Sequence, residues 1–113
     1  AGDPGGKPAL PPLYGTVTAM SKQFIVVSYD ISNDKRRTKA AKTLEDFGAR
    51  VQYSVFECRL LPAEFNKLRK RLQPFVREAQ DSIRFYFIGA EDVGRIQVMG
   101  AGKVTEDKSF FVQ

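Results

Sequence analysis

The sequence predicts an α+β fold of the ferredoxin-like β-α-β-β-α-β order, and three observations predict it. A β-branched and aromatic run, Phe24-Ile25-Val26-Val27-Ser28-Tyr29-Asp30, is too short for a helix and gives way to the turn-formers Ser32 and Asn33. Two later stretches repeat apolar residues at helical spacing, and around them apolar residues alternate with period two. The chain has 113 residues, room for one domain with one core and not for a second.

Each element has its own justification. After the first strand, residues 34–47 place Ala40, Ala41, Leu44 and Phe47 at helical spacing, with Ser32 or Asn33 as N-cap and Gly48 closing the helix. Residues 49–61 carry Val51, Tyr53 and Val55 in alternation and then a run from Phe56, which predicts two antiparallel strands with a tight bend at 54–56. Pro62 suits the first turn of a second helix, whose stripe is Phe65, Leu68, Leu72 and Phe75 and which Pro74 kinks or ends. Ile83, Phe85 and Phe87 alternate through a strand that ends at Gly89, and a short additional strand is predicted at 95–99.

These elements make residues 20–99 the domain. Residues 1–19 hold four of the six prolines and four of the nine glycines, so they are expected to be a disordered tail or expression remnant ahead of a native start at Met20. Residues 100–113 form a C-terminal extension ending in Phe110-Phe111-Val112, a triplet that a strand added to a sheet edge, in a dimer or on a partner, would cover, against the alternative of a disordered tail.

In this arrangement both helices cover one sheet face and leave the other to solvent. The first strand contradicts a solvated face, because Phe24 and Val26 point one way and Ile25 and Val27 the other. Tyr86 and Ile88 likewise oppose Phe85 and Phe87. An identical copy laid against the second face would cover it, so a sheet-mediated homodimer is expected, against the alternative of a partly exposed apolar face.

Composition narrows the chemistry. A 42% hydrophobic, 27% charged chain is an ordinary globular mix, and no apolar run approaches the roughly 20 residues that span a bilayer. The single cysteine, Cys58, excludes an intrachain disulfide and fits the reducing cytoplasm. The absence of histidine removes the usual zinc sites, imidazole bases and Ser/His or Cys/His pairs, leaving carboxylates, Arg, Lys, Tyr or a metal. Eighteen Lys and Arg against 13 Asp and Glu give a net charge of +5, which favours a polyanionic partner.

That charge concentrates on the two helices. Lys35, Arg36, Arg37, Lys39 and Lys42 lie on the first, and Lys67, Arg69, Lys70, Arg71 and Arg77 on or after the second. Such runs are either solvated helix faces or, doubled in a dimer, a broad surface for a nucleic-acid backbone. Asp34 reads as a first-turn acid complementing the helix dipole, while Glu78, Asp81, Glu91 and Asp92 follow no ligand spacing and read as surface charge.

The segment Tyr29-Asp30-Ile31-Ser32-Asn33-Asp34-Lys35-Arg36-Arg37, where an acid ends a strand and a basic helix begins, is followed by Tyr53-Ser54-Val55-Phe56-Glu57. Together, and in order and spacing over residues 23–99, these resemble the CRISPR-associated protein two family, small ferredoxin-like proteins of the spacer-acquisition machinery. The resemblance implies a homodimer bound to duplex DNA or RNA that bridges a CRISPR spacer integrase, with a C-terminal region that joins the dimer and docks the integrase. It also implies Mg²⁺-dependent phosphodiester cleavage, with Asp30 as metal ligand beside its symmetry mate. Tyr29, Arg37, Arg50 and Phe56 are implied as its neighbours, the arginines holding phosphate and the aromatics packing beside a base or sugar. Two carboxylates from two chains are suitable hard ligands for Mg²⁺. Against this, an Asp at a strand end is commonly a turn or cap residue, and Tyr29, Tyr53 and Phe56 are commonly core. The rival of another class is a ligand-sensing or regulatory domain on the same fold. An RNA-recognition module is disfavoured because no strand carries the glycine-aromatic run that stacks bases.

Overall fold

The computed structural model describes residues 21–107, so the expected tail at 1–19 and the Phe110-Phe111-Val112 triplet lie outside the described residues. Strands β1 (Gln23–Asp30), β2 (Gly48–Gln52), β3 (Val55–Leu60) and β4 (Ser82–Ile88) form one antiparallel sheet in the order β2-β3-β1-β4. With α1 (Asp34–Glu45) after β1 and α2 (Pro62–Leu72) after β3, this is a pair of interlocked split βαβ units.

Local chemistry sets the boundaries. Asn33, the N-cap of α1, accepts a hydrogen bond from the N–H of Arg36 at 3.0 Å, satisfying one of the orphan donors of the first turn. In α2 the N-cap is Leu61, which has no side-chain acceptor; instead Glu64 reaches back to the Leu61 N–H at 2.7 Å, half of a capping box. Pro74 cannot donate to the helical ladder, so α2 stops at Leu72 and tightens into a 3₁₀ turn, Gln73–Phe75.

The core lies between the sheet and the two helices. Ile25, Val27 and Tyr29 of β1 and Phe56, Cys58 and Leu60 of β3 meet Ala40, Leu44, Phe47, Phe65, Leu68 and Leu72. Phe85 and Phe87 of β4 meet the Phe65 ring edge-on at 5.1 and 5.0 Å. Full burial of each large apolar side chain contributes about 1.5–3 kcal/mol.

Five expectations change. Gly48 does not cap α1, whose C-cap is Asp46; it opens β2, where a Cβ would lie 2.4 Å from the Glu57 carbonyl oxygen and 2.5 Å from Cys58 Sγ. The hairpin bend sits at Tyr53 and Ser54, and a bulge between Arg50 and Gln52 makes Val51 an extra residue opposite β3. Gly48 and Arg50 stand opposite the core residues Cys58 and Phe56, so Val51 lies off the core face, and Tyr53 is exposed in the turn. Residues 95–99 are not a strand: they follow a short helix, α3 (Ala90–Val93), and find no strand to pair with among the described residues. Asp81 is buried, not surface charge.

The second sheet face is partly covered by the chain itself. Phe24 is buried there beneath the Arg59 guanidinium, 5.0 Å from its ring centroid. Thr105 crosses this face, donating its N–H to Glu57 at 2.9 Å and accepting from Arg59 Nε at 3.0 Å, while Asp107 pairs with Lys22 at 2.9 Å. The C-terminal extension therefore begins as an irregular segment docked over β1 and β3, while Tyr86, Val98 and Met99 remain exposed.

Candidate nucleic-acid interface

One end of the sheet gathers the residues singled out above. The antiparallel register brings Asp30, the last residue of β1, opposite Ser82, the first of β4, and the Tyr29 N–H bonds to the Ser54 carbonyl in the β2–β3 turn at 3.1 Å. The end of β1, the β2–β3 turn, the start of β4 and the N-terminus of α1 therefore share one rim.

Asp30 is exposed on that rim, and no described side chain pairs with its carboxylate. Arg37, one turn into α1, is anchored by the Ile31 carbonyl at 2.9 Å and by Asp34. The bond to Asp34 holds its guanidinium above the ordinary value against partial desolvation, and the Tyr53 phenol adds to the effect. Arg50 donates to the Tyr29 hydroxyl at 3.2 Å, and that hydroxyl donates to the Tyr53 carbonyl at 3.2 Å. The same guanidinium lies 5.4 Å from the Phe56 ring centroid and 5.9 Å from that of Tyr53.

The aromatics divide differently from the expectation. Phe56 is wholly buried and Tyr29 nearly so, their rings 6.3 Å apart, so Phe56 has no surface to set beside a base or sugar. Tyr29 contributes its hydroxyl rather than its ring face. The exposed aromatic of the rim is Tyr53, at 71% exposure.

Beneath the rim lies a cluster that sequence spacing did not reveal. The Asp81 carboxylate accepts from the Ser32 N–H at 3.0 Å, the Ser32 hydroxyl at 3.2 Å, the Arg77 N–H at 2.8 Å and the Arg36 guanidinium. Burial alone would push this carboxyl up; the Ser32 and Arg77 N–H groups and Arg36 outweigh it and hold the carboxyl well below the usual carboxylate range. Arg36 also donates to the Phe75 carbonyl at 2.9 Å. Its guanidinium is thus engaged inside the fold, a correction to its place among the backbone-binding cations. The cluster ties the loop after Asp30 to the turn before β4.

The remaining cations stay available. Lys35, Lys39, Lys42, Lys67 and Lys70 are exposed, and none has an ion pair among the described residues. Arg71 is shared with Asp46 at 2.9 Å and lies over the Phe47 ring.

A Mg²⁺ ion is commonly held through one or two carboxylates, with waters and phosphate oxygens completing the shell. No group of three or more His, Cys, Asp or Glu able to hold a metal occurs among the described residues. Asp30 fits such an ion as one hard, unpaired donor per chain, and Asp34 is held by Arg37. A second copy or the nucleic acid would supply the rest. No helix among the described residues is long and apolar enough to cross a membrane.

Residues 23–96 match the family model described as CRISPR associated protein Cas2. A relative from Synechocystis sp., named CRISPR-associated endoribonuclease Cas2 3, is 43% identical over 81 residues, covering 72% of this chain and 88% of its own. The crystal structure of Streptococcus pyogenes Cas2 superposes with a TM-score of 0.61 at 40% identity, over 68% of this chain and 99% of that one. A chain of a solved partial Cas6-RT-Cas1–Cas2 complex matches with a TM-score of 0.61 at 26% identity, over 68% of this chain and 84% of its own.

Proposed function

The chain belongs to the CRISPR-associated Cas2 family, and from that premise we propose that it acts in spacer acquisition as a homodimer that binds duplex nucleic acid and bridges a Cas1-type integrase. The observation that carries the reading is the set of exposed, unpaired lysines on α1 and α2 together with Arg37 and Arg50 on the Asp30 rim. Cations without internal partners are free to replace the counterions of a phosphate backbone, which gives salt-sensitive, sequence-independent binding. The exposed Tyr86, Val98 and Met99 support a second copy, and the Cas1–Cas2 assembly of one structural relative supports the integrase partner.

A second reading rests on Asp30. Its free carboxylate and the endoribonuclease name of a relative support Mg²⁺-dependent phosphodiester cleavage of RNA or DNA at the same rim. Bound Mg²⁺ supplies a polarised, acidified water. Asp30 would hold the ion, and Arg37 and Arg50 would hold the phosphate in place.

Co-elution of the chain with a Cas1-type integrase and labelled duplex, with a mass measurement of the chain alone, tests the first reading. A dimer that joins the ternary complex is expected, and a monomer that binds neither partner would overturn it. Cleavage of labelled RNA and duplex DNA in Mg²⁺ and in EDTA, by the wild type and Asp30→Ala, tests the second. Loss of metal-dependent cleavage in a folded Asp30→Ala dimer supports it, and cleavage unchanged in that variant removes Asp30 from the chemistry.

A further inference from the structure

Tyr53 is the exposed aromatic of the Asp30 rim. A tyrosine buries a large apolar ring when the fold permits, yet this one stands 71% exposed at a hairpin tip while its neighbours Tyr29 and Phe56 are buried. Its backbone is nevertheless fixed. The Tyr29 hydroxyl donates to its carbonyl, and the next residue accepts from the Tyr29 N–H. Arg50 lies beside it, 5.9 Å from the ring centroid, and Arg37, anchored by the Ile31 carbonyl, stands on the same rim.

An exposed aromatic ring on a turn held by hydrogen bonds, with two guanidiniums on the same rim, has the composition of a single-strand stacking site. We propose that Tyr53 is the stacking platform for one unpaired nucleobase, with Arg37 and Arg50 taking the phosphates on either side of it. The base must be unpaired, since inside a duplex both of its faces are covered by neighbours and only its edge is offered. The helix lysines then hold duplex backbone while the rim takes a strand end or an extension beyond the duplex. This rests on the proposal above that the rim and helices bind nucleic acid, and it adds a ligand class and a residue to that reading.

The test measures affinity of the full chain for three probes: a blunt duplex, the same duplex with a single-stranded extension, and that extension with abasic nucleotides in place of its bases. Tyr53→Ala should weaken binding of the base-containing extension by about tenfold to a hundredfold, the range for loss of one stacked base. It should leave the blunt duplex and the abasic probe within twofold of wild type. Tyr53→Phe keeps the ring and should bind all three like wild type. A 2-aminopurine in the extension should be quenched by wild type and Tyr53→Phe and not by Tyr53→Ala. Equal affinity of wild type and Tyr53→Ala for the base-containing extension overturns the stacking role while leaving nucleic-acid binding intact. An equal loss on all three probes assigns Tyr53 to backbone binding or to the fold and overturns it as well. Failure of wild type to bind any probe overturns the underlying reading too.

Discussion

Asp30 and Asp81 sit at the same end of the sheet, one closing β1 and the other immediately preceding the Ser82 that pairs with it. Asp30 is exposed and without a side-chain partner, whereas Asp81 is enclosed by Ser32, Arg77 and Arg36. The rim keeps the Asp30 carboxylate facing outward, and the cluster around Asp81 uses its charges to fasten the loop on which that rim stands. Residue type does not separate the two roles; what separates them is whether the fold supplies donors to the carboxylate. Burial without donors would be costly, and donors without burial would leave Asp81 competing with water.

The largest effect expected from breaking this division comes from Asp81. Asp81→Ala leaves Arg36 without its carboxylate and two loop N–H groups without an acceptor, so the thermal midpoint should fall on the order of 10 °C. The conservative Asp81→Asn sharpens the point through pH. A folded carboxyl depressed below its unfolded value contributes fully above the unfolded pKa, about 3.9, and loses that contribution as pH falls through the folded value. Wild-type stability should therefore decline with acidification below about pH 4, and Asp81→Asn should show a shallower acid limb in thermal melts.

Next comes Gly48→Ala, whose methyl group would strike the backbone of Glu57 and the sulfur of Cys58. It should cost about 1–3 kcal/mol in denaturant unfolding. Smaller again is Cys58. Burial, with Glu57 adding to it, pushes its thiol up from 9.0 to about 12, so the folded chain keeps the proton that the unfolded chain releases. Stability contributed by the neutral thiol is complete below pH 9 and lost as pH rises from 9 toward 12. At pH 10 the loss should be about 1 kcal/mol, and Cys58→Ala should remove that pH dependence from the unfolding curves. The smallest effect on stability belongs to the rim: Asp30→Ala should unfold within about 0.5 kcal/mol of wild type, as expected for a surface residue without partners.

The same division marks what the sequence made legible. Periodicity recovered β1, both long helices and their order because Ile25, Val27, Leu44, Leu68 and Leu72 each bury against partners set by local pattern. The basic start of α1 beside Asp30 was readable as a motif. Asp81 was not, since its partners Ser32 and Arg36 lie 49 and 45 residues away and only the tertiary fold brings them together. The alternation of Val51, Tyr53 and Val55 misled because the other parity carries the core face of this hairpin, Gly48 and Arg50 opposite Cys58 and Phe56. The strand expected at 95–99 lacked, among the described residues, what no local pattern supplies, a neighbour to pair with. The cover over Phe24 came from Arg59 and Thr105, a side chain and a C-terminal segment that periodicity does not connect.

In the proposed function the chain meets nucleic acid through cations the fold leaves unpaired. The most direct measurement is duplex affinity as a function of salt for wild type, Asp30→Ala and a Lys35→Ala, Lys39→Ala, Lys42→Ala variant. Binding should be salt-sensitive and retained by Asp30→Ala, with a log-log salt slope reduced by about one for each lysine that contacts phosphate. Binding that is absent, or a slope unchanged by removing all three lysines, would contradict it.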